Sequence, residues 1–334
     1  MAIRLSIYEH ADEVPTLPGS NFFHSVELFH ILEQTPQFTP FLLVAYEGDT
    51  PIAKLLCAVR QIFSCTDVYQ KAVIHGHGEY FNLDLLHQKE DVAPLREDAI
   101  FSEMLSYLTT RVLDHVFFVE FRNLNDPLFA YRYFRENHYF PVRWLRVQNS
   151  IHQNPIDKWM SPRRRRHIQE GIENGADLGI IESHQELQEF FRMLKKFYSS
   201  KVVRYMPNIH FFYNLFTFNT DKQLGEIFTV RYHGKIIGGA VCFFSGDTAY
   251  LILAGGLRKS YPSLYPNVLA IWNAMLTSRK MGYSHFEFMN AGLPFKKFGY
   301  RDFILRFGGR QLGTRRWFRF RWEWLNKVME KFYS

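Results

Sequence analysis

Residues 282–309 read GYSHFEFMNAGLPFKKFGYRDFILRFGG. Phe286 and Phe288 alternate with His285, Glu287 and Met289, which predicts a strand over residues 285–290, because successive strand side chains point to opposite faces. The strand ends in Asn-Ala-Gly. A loop with Lys296, Lys297, Tyr300 and Arg301 follows, and then a second expected strand over residues 302–307, closed by Gly308-Gly309. Open α/β sheets place ligands beyond the C-terminal ends of their strands. Asn290, three cations and a phenol at such an end mark a place for an anionic, phosphate-bearing ligand.

Upstream, residues 265–281 have helical spacing (Val268, Ile271, Trp272, Met275) and residues 248–254 read as a strand. Residues 225–244, GEIFTVRYHGKIIGGAVCFF, give strand, turn, strand, and 184–198 and 208–218 are helical. The first half repeats this order. A helix over 21–34 precedes the hairpin PFLLVAYEGDTPIAKLLCAV at 40–59. A strand over 69–81, a helix over 95–114 (Ile100, Met104, Leu108, Val112) and a strand over 115–121 come next. Val44, Tyr46 and Gly48 fall on Val230, Tyr232 and Gly234, while Glu120, Phe121 and Asn123 fall on Glu287, Phe288 and Asn290. The second offset is smaller, so the first copy carries an insertion. Two matched blocks in one order indicate a duplication. The expected fold class is α/β (α+β): two modules, 1–150 and 151–334, each a mixed, mostly antiparallel sheet flanked by helices. The modules are expected to be pseudo-twofold related, with the active cleft in the second.

The chain has 334 residues, is 47% hydrophobic and includes 33 Phe, which excludes a disordered chain and predicts large aromatic cores. Its net charge of +7 favours anionic partners, or serves solubility alone. Cys57, Cys65 and Cys242 are scattered and read as reduced thiols. No apolar leader and no run long enough to span a bilayer is seen, so a cytoplasmic, non-spanning protein is expected. Ser161-Pro162 reads as a helix start. The cations that follow it, Arg164 and Arg165 among them, oppose the helix dipole unless an anion sits there. His75, His77 and Glu79 can share a strand face but lack a fourth ligand, so no metal is expected. There is no Ser-His-Asp ordering, nucleophile elbow or P-loop. The C-terminal residues 315–334 alternate as a last strand on the second module, then turn helical. An aromatic-basic patch making peripheral membrane contact is the alternative.

The hairpin at 227–244 with Gly238-Gly239, the strand at 250–256 ending Ala-Gly-Gly and the helix at 269–281 form an ordered set. With the run 292–309 and the basic start SPRRRRHIQEG at 161–171, that set resembles the tandem GNAT acyltransferases of the FemABX group and related large bacterial acetyltransferase domains. The resemblance covers most of residues 150–320. It implies an enzyme that moves an acyl or aminoacyl group from acyl-CoA or aminoacyl-tRNA to an amine, commonly on a cell-envelope precursor. It also implies that Lys296 and Lys297 contact the acceptor's phosphates or the reacting carbonyl. Glu287 is a candidate base or, equally, a carboxylate salt-bridged to a neighbouring strand, as the matching Glu120 suggests, and Tyr300 is a candidate proton donor. Arg164, Arg165, Tyr250, Asn290, Arg301 and Arg306 complete the candidate substrate contacts. The loop RKSYPSLYPN at 258–267 departs from a Gly-rich phosphate cradle, since two prolines remove N–H donors. A non-catalytic duplicated binding protein and a tRNA-binding module stay open as alternatives.

Overall fold

The computed structural model describes residues 3–61, 70–81, 97–124, 126–198, 206–218 and 224–333; Cys65 and the expected element starts at 69 and 95 lie outside these. The chain runs β1 (Ile3–Tyr8), α1 (Val26–Glu33), β2 (Phe38–Glu47), β3 (Thr50–Gln61), β4 (Gln70–His75), β5 (Glu79–Tyr80), α2 (Glu97–Val112), β6 (Phe118–Arg122) and α3 (Tyr131–Glu136). It continues through β7 (Phe140–Ser150), α4 (Pro162–Glu173), β8 (Asp177–Ile180), α5 (His184–Phe197), α6 (Ile209–Phe218), β9 (Gly225–Tyr232), β10 (Lys235–Ser245) and β11 (Thr248–Gly256). Last come α7 (Pro266–Lys280), β12 (His285–Gly292), α8 (Gly299–Leu305), β13 (Arg310–Phe320) and α9 (Glu323–Tyr333).

Two compact units result, Met1–Trp144 with Gly313–Ser334, and Leu145–Leu312. The end of β13 and all of α9 thus cluster with the first unit, where Arg316–Phe320 pair antiparallel with β6. Period-two alternation identifies a strand but does not name its neighbour, which is why the sequence suggested the second module instead.

Strand order in the first unit is β1-β2-β3-β4-β6-β13, and in the second β8-β9-β10-β11-β12-β7. Taken in these orders, both show three antiparallel pairings, then one parallel, then one antiparallel. The duplication seen in the residues is therefore a duplication of topology. A long helix packs on each sheet. Ile100, Phe101, Met104, Leu105 and Leu108 of α2 are buried in the first unit, as are Val268, Leu269, Ile271 and Met275 of α7 in the second.

Residues 302–307 correct the expectation of a strand, because Gly299–Leu305 is a helix. Short apolar runs fit either period. Here Ile304 and Phe307 are both buried and three apart, a helical spacing, while Phe298 precedes the helix and accepts the N–H of Arg301.

Candidate active site

Parallel strands β11 and β12 pair from Thr248 with His285 to Leu251 with Phe288, and then part. Beyond that point β11 stays on β10 as far as Gly256 opposite Gly238, whereas β12 next meets Leu145 at Gly292. Where they part, β11 carries one extra residue: Leu251 faces Cys242, Leu253 faces Val241, and Ile252 has no counterpart. A bulge of this kind removes backbone groups from the ladder and increases local twist. In the first unit the corresponding pair stays closed. β4 and β6 are matched from Lys71 with Phe118 to His75 with Arg122, and the N–H of Gly76 donates to the carbonyl of Arg122 at 2.8 Å.

A cavity of about 720 Å³ lies at the outer end of β11 and the start of α7. Four cations line it: Lys196, Lys235, Arg258 and Lys259. Tyr198, Tyr261 and Tyr300 add three phenols. Glycines let the helix come this close to the strands. A Cβ on Gly238 would lie 2.7 Å from the carbonyl oxygen of Pro266, and one on Gly255 would lie 2.6 Å from the ring of Phe197. A Cβ on Gly256 would overlap the backbone nitrogen of Asn267.

Several amides of the loop between β11 and α7 are already held by protein carbonyls. The N–H of Leu257 donates to Ile237, that of Arg258 to Gly256, and those of Ser260 and Tyr261 to Leu257. Pro262 and Pro266 have none to give. Four side chains supply positive charge at the cavity.

Tyr300 is 38% exposed overall. Burial of its hydroxyl end, with Tyr198 and Cys242 nearby, nonetheless pushes its phenol well above the ordinary value, so it stays protonated. The Tyr198 hydroxyl donates to the carbonyl of Ala254 at 2.7 Å, and burial raises its pKa to about 12.

Of the residues singled out from sequence, only Tyr300 lines this cavity. Glu287 is buried, and both its oxygens accept from Nη1 of Arg146, at 2.9 and 2.8 Å. Burial raises its pKa and Arg146 opposes the rise. The first unit repeats the arrangement. Buried Glu120 accepts from Arg316 at 2.8 Å and from Arg122 at 2.9 Å. Arg316 sits two residues before Phe318, the register partner of Glu120, as Arg146 sits two before Gln148, the partner of Glu287.

Arg164 is buried, donates to the carbonyl of Phe303 at 2.8 Å, and lies over the rings of Phe303 and Phe307 at 4.4 and 4.2 Å. Burial brings its pKa down to about 10. It ties α4 to α8. Arg165 is exposed, with Nη1 3.4 Å from the carbonyl oxygen of Asp157. Arg301 donates to the carbonyls of Ala291, Leu293 and Lys296 and so shapes the loop after β12. Asn290, Lys296, Lys297 and Arg306 are exposed. Tyr250 is buried on β11, and burial, with Glu287 adding, raises its pKa to about 12.

His77 bonds Asn123 at 2.8 Å and Glu79 pairs with Lys54 at 3.1 Å, while among the described residues no group of acidic, His or Cys side chains is arranged for a metal. The cavity cations were missed in the sequence. Gly-Gly followed by Arg258-Lys259 before a proline-led helix was the available signal. Lys196 and Tyr198 had none, because packing alone brings the end of α5 there.

Residues 162–297 match a family model described as an acetyltransferase (GNAT) domain. The chain is similar in structure to FemX, with TM-score 0.64 at 9% identity over 92% of this chain and 94% of that one. A tandem GNAT protein from the clavulanic acid biosynthesis pathway gives TM-score 0.55 at 9% identity, over 96% and 99%. The C-terminal domain of a putative lysylphosphatidylglycerol synthetase from Agrobacterium fabrum gives 0.57 at 9%, over 94% and 92%. No curated protein matches the chain in sequence. Residues 162–297 of the second unit thus match a GNAT domain, and the fold along the whole chain is similar to that of a tandem GNAT protein and to that of FemX. The family model matched is that of an acyltransferase domain.

Proposed function

We propose that the second unit transfers an acyl or aminoacyl group from a phosphate-bearing carrier, acyl-CoA or aminoacyl-tRNA, to an amine of an anionic acceptor of the cell envelope. The single observation that carries this is the parted β11/β12 pair, with its bulge at Ile252, opening beside a cavity lined by four cations. The names of two structural neighbours, FemX and a lysylphosphatidylglycerol synthetase, support aminoacyl transfer to an envelope acceptor. Buried, unpaired Cys57 and Cys242 are in keeping with a cytoplasmic site of action, and among the described residues no helix is long and apolar enough to cross a membrane.

Lys196, Lys235, Arg258 and Lys259 hold the carrier's phosphates, leaving its reactive carbonyl between the parted strands. The amine, after losing a proton to water, attacks that carbonyl. Backbone N–H groups at the bulge stabilise the oxyanion, and juxtaposition supplies most of the rate. The intermediate collapses with loss of the thiolate or ribose oxygen, which takes the proton of the Tyr300 phenol, while the nitrogen made cationic by the attack gives up its remaining extra proton and so restores the phenol. Exposed Lys296, Lys297 and Arg306 contact the acceptor's anionic group. Glu287, with both oxygens on Arg146, is assigned to holding β12 in place.

Turnover of acyl-CoA and of charged tRNA against a panel of amines tests the assignment, with Arg258→Ala/Lys259→Ala as the variant. Activity with one carrier, and a carrier KM raised about tenfold or more in the variant, is the expected result. Binding of either carrier with no transfer to any amine would make this a binding protein instead. Lys296→Ala/Lys297→Ala is expected to raise the acceptor KM and leave that of the carrier unchanged.

A further inference from the structure

Helix α9 packs with its polar side inward. Asn326 is its buried side chain, accepting the N–H of Phe320 at 3.0 Å and donating to the carbonyl of His138 at 2.8 Å. Glu323 pairs with Arg319 at 2.7 Å and Glu330 with Arg135 at 2.5 Å. At about 100° per residue these three fall on one arc of the helix. Trp324, Val328 and Phe332, spaced four apart, form a stripe on the other side, 66%, 44% and 78% exposed. Lys327 and Lys331 are exposed along one edge of that stripe, and Leu325 and Met329 flank the other. Helices of water-soluble units bury the apolar stripe and show the polar one. Here the order is reversed, and the carboxylates of α9 are neutralised on the inner arc while its lysines stay outside.

We propose that the outer face of α9 docks on an anionic lipid bilayer, with the helix lying in the plane of the surface. An aromatic and aliphatic stripe enters the headgroup boundary while adjacent lysines meet lipid phosphates. Charge decides the occupant: with both carboxylates paired, the cations beside the stripe select a negatively charged surface. An apolar stripe edged by lysines suits a helix lying along the membrane surface. This inference is independent of which carrier and acceptor the second unit uses.

The test is co-sedimentation of the full chain with vesicles of phosphatidylcholine alone and of phosphatidylcholine containing phosphatidylglycerol, read alongside tryptophan emission. Binding to the anionic vesicles with a blue shift is expected. Trp324→Ala/Phe332→Ala and Lys327→Glu/Lys331→Glu should each weaken that binding by about tenfold or more. Melting curves should not change, since all four side chains are exposed. No binding to anionic vesicles, equal binding to neutral ones, or full binding by the Trp324→Ala/Phe332→Ala variant would overturn the proposal. Lipid-free dimerisation abolished by that same variant would assign the face to a second copy of the chain and overturn it as well.

Discussion

Tyr300 and Glu287 are both polar groups close to one strand end, yet their surroundings separate them. The Tyr300 phenol is kept protonated by burial and faces a cavity. Tyr300→Phe is expected to lower kcat about a hundredfold with little change in carrier KM, as steady-state kinetics would show. Glu287 is tied to Arg146 by both oxygens. Removing one partner of a buried pair strands the other, so Glu287→Gln should cost roughly 3–5 kcal/mol in urea unfolding. Glu120 gives a pH signature. Burial alone would raise its pKa, but Arg122 and Arg316 outweigh burial and hold its carboxyl well below the ordinary value near 4.5. Burial and Arg122 press Arg316 down to about 9, which still leaves it charged at neutral pH. A carboxyl held low when folded contributes stability that is complete above the unfolded value and is lost as pH falls below it. Thermal melts from pH 7 downward should therefore steepen below roughly pH 4.5 in the native chain and flatten in Glu120→Gln.

At the scale of elements, what distinguishes the second unit is where a parallel pair stops pairing. β11 and β12 part after Leu251 and Phe288, while β4 and β6 stay matched to His75 and Arg122. The start of α7 rests against glycines at the ends of β10 and β11. Gly238→Ala should push Pro266 outward, costing roughly 1–3 kcal/mol and weakening carrier binding, which melting curves and carrier titration would measure together. α8 shows why a short apolar run misleads. Its Phe303, Ile304 and Phe307 suit either period, and Arg164, lying over two of those rings, belongs to the packing that holds the helix.

For the whole molecule, two units share a strand order and a buried Glu–Arg pair, but only one has the open strand end. A single carrier per chain is therefore expected by isothermal titration, and two equal sites would contradict the assignment of the site to the second unit. The repeat was legible in the sequence because hairpins, helices and matched pairs such as Glu120 and Glu287 follow local periodicity. The cavity was not. Of the residues chosen from sequence only Tyr300 reached it, because spacing along the chain shows which residues are polar and near a strand end, not which of them neighbouring elements already hold.

By itself the sequence determined the doubled α/β plan, the order of its elements and the basic character of the chain, since hydrophobic period and turn chemistry act over a few residues. Tertiary structure alone decided that Glu287 is held by Arg146 and Arg301 by backbone carbonyls, that Lys196 and Tyr198 join Arg258 at one cavity, and that β13 pairs with β6. Such choices depend on side chains far apart in the chain competing for the same partner, and local pattern carries no record of that competition.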